Sequence, residues 1–523
     1  MNRSSYTANR RRIPWLLVSL SVLLLLALAA CAPGLLNPPR AGSEAAAVPP
    51  TEPPLNLRAP TPTGEPFVQS TAAPRTTGAQ RTLTFWVEKP SPGYEQALQD
   101  LVNDFSTRHD VHVELVTIPS DLLPDLVTTA ATTTSFALPD VVLAPLEYVA
   151  GWAEEGILDA EAATILLEEL GPATFDQDAL ALVRSGSEVA AIPSDGWQQL
   201  LLYRSDWFED NDLAPPTDFE AMLTAAEVIS DRTNLIYSFN MPTESSLVAT
   251  TRAFEQMAIA NGCQLFNARG ELQILEPVCR DALEFYRFLC NSYCPPGVQT
   301  EVSALNAFLS GRSGFILTSP WALPAIAGLD EDYRPTCPDC SRPGFLAANT
   351  GIVTTFSGRS EEASPENLGA VNYLAVTSDG DQEAAAAFVD YWFNDGYLQW
   401  LAIEPARKVP MRRGMPGEPE RFVEAWYELP LVPGGESLAE VFGAEVATTL
   451  ASDIVNRNRW AYEQGEGALI TSVFEELTLS ILLQELLSGY YDSDRAAIEG
   501  YKRLVELIPD YEYYFDPEPT PES

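Results

Sequence analysis

The feature that most restricts the fold begins at Arg81, where strand-type and helix-type patterns start to alternate. Leu83-Thr84-Phe85-Trp86-Val87 reads as a strand rich in β-branched and aromatic residues. Leu98, Leu101, Val102 and Phe105 then recur at the spacing of one helix face. Val111, Val113 and Leu115 alternate as a second strand, and Val141-Val142-Leu143 is the short apolar run of a strand buried on both faces. Strands separated by helices predict a parallel α/β sheet, whose ligands sit at the carboxyl ends of the strands. Those ends carry Trp86-Val87-Glu88 and Ala144-Pro145-Leu146-Glu147-Tyr148.

A second set of elements follows. Ala191-Ile192-Pro193-Ser194-Asp195-Gly196-Trp197 runs into Leu200-Leu201-Leu202-Tyr203, and Pro215-Pro216 stops the chain before Thr217-Asp218-Phe219-Glu220, a predicted capping box. Gly314-Phe315-Ile316-Leu317 reads as another strand and delivers Ser319-Pro320-Trp321 at its end. Ala384, Phe388, Tyr391 and Trp392 share one helical face, so Trp392 reads as core. Ala497, Tyr501, Leu504, Val505 and Ile508 form another such face near the end. No solenoid or propeller repeat is present. The body therefore reads as two α/β lobes, and 523 residues suffice for both.

Charge narrows the function. Asp and Glu total 73 against 31 Lys and Arg, a formal charge of -42, so nucleic acid is excluded as a natural partner. Only Lys89, Lys408 and Lys502 occur, none after a glycine, which removes a phosphate-binding P-loop. The two histidines, His109 and His112, cannot build an HExxH zinc site and leave little for a histidine-based triad.

The N-terminus reads as an address. Arg10, Arg11 and Arg12 precede an apolar run from Ile13 to Ala30, and Leu28-Ala29-Ala30-Cys31 resembles a bacterial lipobox. A signal peptide over 1–30 and a lipidated Cys31 follow, and two or more acyl chains anchor a protein stably without a spanning helix. Removing residues 1–30 takes away four arginines and no acid, shifting the formal charge to -46. Residues 31–80 hold eleven of the forty-two prolines among Ala, Thr and Ser and read as an extended tether. Residues 513–523 read as an acidic, proline-containing tail.

Six cysteines remain after Cys31, an even number suited to an oxidising compartment. Cys263 and Cys279 flank a hairpin-like stretch turning at Asn267-Ala268-Arg269-Gly270, and Cys290 with Cys294 and Cys337 with Cys340 would close small loops. A zinc site from the last four has tolerable spacing. Disulfides fit the compartment better, so neither metal nor cofactor is expected.

These landmarks together resemble the extracellular solute-binding proteins of ABC importers, in the branch that takes sugars and oligosaccharides. The resemblance rests on Leu83-Thr84-Phe85-Trp86, Leu138-Pro139-Asp140-Val141-Val142 with Gly156-Ile157-Leu158-Asp159, and Ala191-Ile192-Pro193 with Leu202-Tyr203-Arg204-Ser205-Asp206-Trp207-Phe208. It continues through Ala307-Phe308-Leu309-Ser310-Gly311-Arg312 to Ser319-Pro320-Trp321, and ends at Leu487-Ser488-Gly489 through Ala496-Ala497. It covers roughly 81–510, and the stretch 430–460 does not align. The cysteines also depart from the family pattern.

The resemblance implies a two-lobed α/β clam shell of the periplasmic-binding-protein type, with lobe 1 at 81–193 and 321–393 and lobe 2 at 194–320 and 394–512. It implies crossovers near 193–197, 318–321 and 393, closure on a ligand, and recognition of the closed form by a membrane permease. Sugars need aromatic platforms and fixed polar groups. Trp86, Tyr148, Trp197 and Trp321 are the expected platforms, with Glu88, Glu147 and Asp195 as hydroxyl acceptors and Arg407 reaching the cleft from a lobe 2 loop. Any one tryptophan serves a core equally well, and acids are abundant on this surface. The expected function is a monomeric, lipid-anchored receptor outside the cell membrane that performs no chemistry. A surface carbohydrate-active enzyme, and a lipid-anchored scaffold without a small ligand, are the alternatives.

Overall fold

Two sheets organise the computed structural model, which describes residues 81–133, 136–452, 454–509 and 511–517, all within one unit spanning Gln69–Ser523. The expected signal peptide, Cys31 lipidation site and tether, and the end of the tail, lie outside the described residues. No single described helix is long and apolar enough to cross a membrane.

The strands are β1 (Arg81–Glu88), β2 (Val111–Ile118), β3 (Val141–Pro145), the short hairpin β4 (Arg184–Ser185) and β5 (Glu188–Val189), β6 (Ile192–Gln198), β7 (Leu200–Arg204), β8 (Tyr237–Asn240), β9 (Ser313–Thr318), β10 (Thr350–Val353), β11 (Gly369–Val376) and β12 (Val409–Pro410). The first sheet has the order β12-β6-β11-β3-β1-β2, the second β10-β7-β9-β8. β1 is parallel to β2 and β3, as the alternating pattern predicts. β11 runs antiparallel to both β3 and β6, and in the second sheet only β8 and β9 are parallel. The sheets are therefore mixed. The reason is the traffic between them: β11 follows β10 of the other sheet, enters from the side facing it, and must run back against its neighbours.

Pairing also divides the chain elsewhere than the landmarks do. β6 extends through Gln198 in the first sheet, and only Gln199 separates it from β7 in the second. The Gln199 backbone N–H donates to Leu368 O (2.8 Å) and its side-chain amide to Gln256 Oε1 (2.8 Å), which holds this direct crossing in place. Thr350–Val353 pairs with β7 in the second sheet, and Val409–Pro410 pairs with β6 in the first. Backbone hydrogen bonds set these memberships, and short motifs do not report them.

Local signals hold well. The helix Glu95–His109 buries Leu98, Leu101, Val102 and Phe105. Trp392 is fully buried, packs edge-on to Phe85 at 5.5 Å and donates its indole N–H to Ser194 Oγ (3.2 Å). The helix Phe219–Ile229 is capped by Asp218, whose carboxylate accepts from the Ala221 N–H (2.8 Å), rather than by Thr217.

The Phe266–Leu272 bridge, turning through Gly270 at φ +77, brings Cys263 and Cys279 into a disulfide, and Cys337 is bonded to Cys340. Cys290 and Cys294 are a correction to the expected set, because both are buried thiols. Cys290 lies in the last turn of the helix Pro277–Tyr293 and Cys294 is its C-cap; their sulfurs are 2.9 Å apart as a thiol hydrogen bond, longer than a disulfide bond.

The segment that matched no landmark has a structural role. Gly369 admits it: a Cβ there would sit 1.7 Å from the Ile454 carbonyl oxygen, so only glycine lets this backbone lie on β11. A few residues on, Arg459 and Trp460 are buried.

Candidate functional site

The carboxyl ends of β1, β3 and β9, together with the segments that follow β2 and β8, surround a cavity of about 400 Å³. That volume lies in the range of small-molecule sites, and the location is where open α/β sheets bind ligands. A smaller cavity of about 60 Å³ adjoins it and shares Glu88, Ser120, Pro124, Pro145, Asn372 and Arg407.

Five of the eight expected ligand residues line the larger cavity: Glu88, Tyr148, Trp197, Trp321 and Arg407. Trp197 sits at the β6–β7 crossing, with the Arg252 guanidinium 5.8 Å from its ring centroid. Trp321 packs edge-on to Tyr333 at 5.8 Å, and its indole N–H has no partner among the described residues. Tyr148 stacks on Trp152 at 5.7 Å. Arg407 lies 3.6 Å from Glu88, and its Nε is buried without a hydrogen-bond partner among the described residues.

The other three do not line it. Trp86 is buried within β1. Asp195 lies beneath the wall, accepting from Asn372 Nδ2 (2.9 Å) and from the Trp400 indole N–H (2.6 Å). Burial pushes its carboxyl above the usual range, against the pull of Lys408 and of those hydrogen bonds. Lys408 is the reciprocal case, lowered by burial while Glu404 and Asp195 oppose the shift.

Glu147 is completely buried under the floor. Its Oε1 accepts from Arg252 Nε (2.9 Å) and Arg459 Nη2 (3.2 Å). Burial alone would raise its carboxyl; the Arg252 and Arg459 charges overcome that and hold it down to about 2. Arg459 also grips Glu255 through Nε (2.6 Å) and Nη2 (3.0 Å) and donates to Gly369 O (2.9 Å). This network fixes Arg252 where it meets Trp197. It ties together the end of β3, the helix Val248–Ala260 and β11.

Several cavity residues escape a reading of the sequence. Gln199, Arg252, Thr318, Asn372, Glu301, Asp125 and Glu475 all line the wall. Thr318 is 3% exposed, yet its hydroxyl has no hydrogen-bond partner among the described residues, so the wall presents an unused polar group. Ser319 Oγ lies 3.5 Å from Glu301 Oε1. Burial raises the Glu301 carboxyl, opposed by Arg407 and Arg252. The one signal that could have pointed to Arg252 is the scarcity of cations in so acidic a chain.

The sequence profile described as Bacterial extracellular solute-binding protein matches residues 90–399. The chain belongs to that family. It is 24% identical over 286 residues to the putative ABC transporter periplasmic-binding protein YcjN of Escherichia coli; the match spans 54% of this chain and 62% of that protein's length. Among solved structures, a solute-binding protein of Thermotoga lettingae bound with α-D-tagatose superposes with TM-score 0.63 at 19% identity, covering 82% of this chain and 99% of that one. Maltose-bound MalE3 of T. maritima gives TM-score 0.61 at 21% identity, over 82% and 100%. A sugar transporter protein of Arthrobacter chlorophenolicus with laminaribiose gives 0.63 at 14%, again over 82% and 100%. These likenesses establish the two-lobed α/β fold of the solute-binding family.

Proposed function

We propose that this family member is an extracytoplasmic receptor that captures a sugar or oligosaccharide between its lobes and delivers it to an ABC-type membrane permease. The carrying observation is the cavity itself: three aromatic side chains, Tyr148, Trp197 and Trp321, stand around about 400 Å³ together with unsatisfied or convergent polar groups at Thr318, Asn372 and Arg407. Aromatic rings suit the C–H faces of a sugar, and the polar groups suit its hydroxyl rim. The sugars held by the proteins of similar fold support the same class.

The lobes follow the sheets in this reading, and the Gln198–Leu200 crossing is one hinge strand. Lipidation at Cys31 and the 31–80 tether would hold the body at the outer face of the cell membrane as a monomer. Closure alone is required of it, with no chemistry.

A thermal-shift screen of a soluble form beginning at Arg81 tests this. The panel holds mono- and oligosaccharides, polyols, sugar phosphates and short peptides, each mixture checked for turnover. A ligand at about 100 times its Kd adds about 2.7 kcal/mol, which raises the midpoint of a body this size by about 3 °C. A sugar hit without product is expected. Product formation would overturn the receptor reading in favour of an enzyme, and silence across the panel would favour a scaffold.

A further inference from the structure

One corner of the cavity is chemically unlike the rest. Tyr148, Asp125 and Glu475 line it, near enough that both carboxylates act on the Tyr148 hydroxyl and Asp125 acts on Glu475. Glu475 is the last residue of the helix Gly467–Glu475, the end at which the backbone dipole is already negative. Its Oε1 accepts from Thr128 Oγ1 (2.9 Å) and from the Trp152 indole N–H (3.2 Å), and Oε2 accepts from neither. Burial raises the Glu475 carboxyl, and the neighbouring Glu155 and Asp125 raise it further. Among the described residues, neither Asp125 nor Glu475 has an ion pair.

The cavity's two cations pair elsewhere and neither forms an ion pair with Asp125 or Glu475, while the Arg252 charge acts on the Tyr148 hydroxyl. Arg252 is bound to Glu147 at 2.9 Å, and Arg407 faces Glu88 at 3.6 Å. A separate observation points to a ligand: the Tyr148 side chain is 5% exposed, borders the cavity, and its hydroxyl has no hydrogen-bond partner among the described residues. A phenol buried along its ring and open at its hydroxyl toward a cavity offers that hydroxyl to a bound molecule. A metal ion is a poor candidate, because no three His, Cys, Asp or Glu side chains among the described residues are grouped to hold one. An ammonium group fits all the pieces. It is a compact donor that two carboxylates, a helix C-terminus and an aromatic ring each attract.

The geometry points to a ligand subsite at Tyr148, Asp125 and Glu475 for a protonated amine, so that the preferred cargo is a carbohydrate bearing an amino group rather than a neutral one. This rests on the carbohydrate reading of the cavity. Tyr148 then contributes both its ring and its hydroxyl, and the amine supplies the missing counter-charge.

The test is a calorimetric titration of the intact protein at about pH 6, where a free amine is protonated. The probes are glucose, N-acetylglucosamine and glucosamine, with the β-linked dimer of each, so that hydroxyl, neutral amide and ammonium are compared on one ring. The expected result is binding of the amines at least about tenfold tighter than of their neutral counterparts, with a preference that shrinks as salt is added. Glu475→Gln keeps the acceptor used by Thr128 and Trp152, and should reduce the ratio of amine to neutral-sugar affinity to within about twofold. Asp125→Asn should do the same and provides a second variant should Glu475→Gln fold poorly. Neutral sugars binding as well as amines would overturn the amine subsite and leave the receptor intact. A preference unchanged in both variants would overturn its placement. No binding by any probe would overturn the carbohydrate reading with it.

Discussion

Replacing Arg459 by methionine should destabilise the protein sharply while touching no cavity residue. Arg459 is 1% exposed and answers two buried carboxylates, Glu255 and Glu147. Removing it leaves Glu147 with Arg252 alone and Glu255 with only the Trp460 backbone N–H, and stranding a buried charge in this way costs about 3–5 kcal/mol. With about 2.1 cal/mol/K of unfolding entropy per residue, a folded body of roughly 430 residues carries about 0.9 kcal/mol/K, so the melting midpoint should fall by about 3–5 °C.

The pH dependence gives the same argument a sign. The folded-state carboxyl of Glu147 is depressed from 4.5 to about 2, so its contribution is fully present above about pH 4.5 and is lost as pH falls toward 2. That window is worth about 3 kcal/mol in the wild type and should shrink in Arg459→Met. Calorimetric melting from pH 7 down to about 3 reads both effects. Pairing Arg459→Met with Glu255→Met removes one stranded acid and should recover about half of the loss. A single variant within about 1 °C of wild type, with no further change in the double, would refute the view that this network holds the floor of the cavity.

Other outcomes follow from the same structure. Trp321→Ala, at a partly exposed ring, should melt like the wild type without ligand and lose the ligand-induced shift. Trp197→Ala should lose that shift as well and also about 3 kcal/mol of stability, because its ring is buried; paired melting scans with and without sugar separate the two. Peptide mass spectrometry without reduction should find Cys263 joined to Cys279 and Cys337 to Cys340, with Cys290 and Cys294 alkylated only after unfolding. Removing the Cys263–Cys279 bridge, which closes a separation of 16 residues, should lower stability by about 3 kcal/mol.

What the sequence makes legible is what lies close along the chain. β1, β2, β3 and β9 are readable because apolar runs and alternation are local properties. The positions of Glu88, Tyr148, Trp197 and Trp321 at the cavity are readable because they sit at or just after the ends of such strands. The fate of Glu147 is not, since its partners Arg252 and Arg459 come from 105 and 312 residues away. Strand direction is illegible for a similar reason: β11 is antiparallel because of where the chain was before it, and its own residues say nothing of that. The amine corner needs three distant pieces at once, Asp125, Tyr148 and the end of the Gly467–Glu475 helix. Its most informative property, the lack of a counter-charge, exists only after folding.

The most direct test of the account is a crystal structure of the protein with the tightest sugar from the screen. Density for that sugar is expected in the cavity between the two sheets, against Tyr148, Trp197 and Trp321, with a hydroxyl within hydrogen-bonding reach of Thr318 Oγ1. Density at any other place on the molecule, with this cavity holding only solvent, would contradict it.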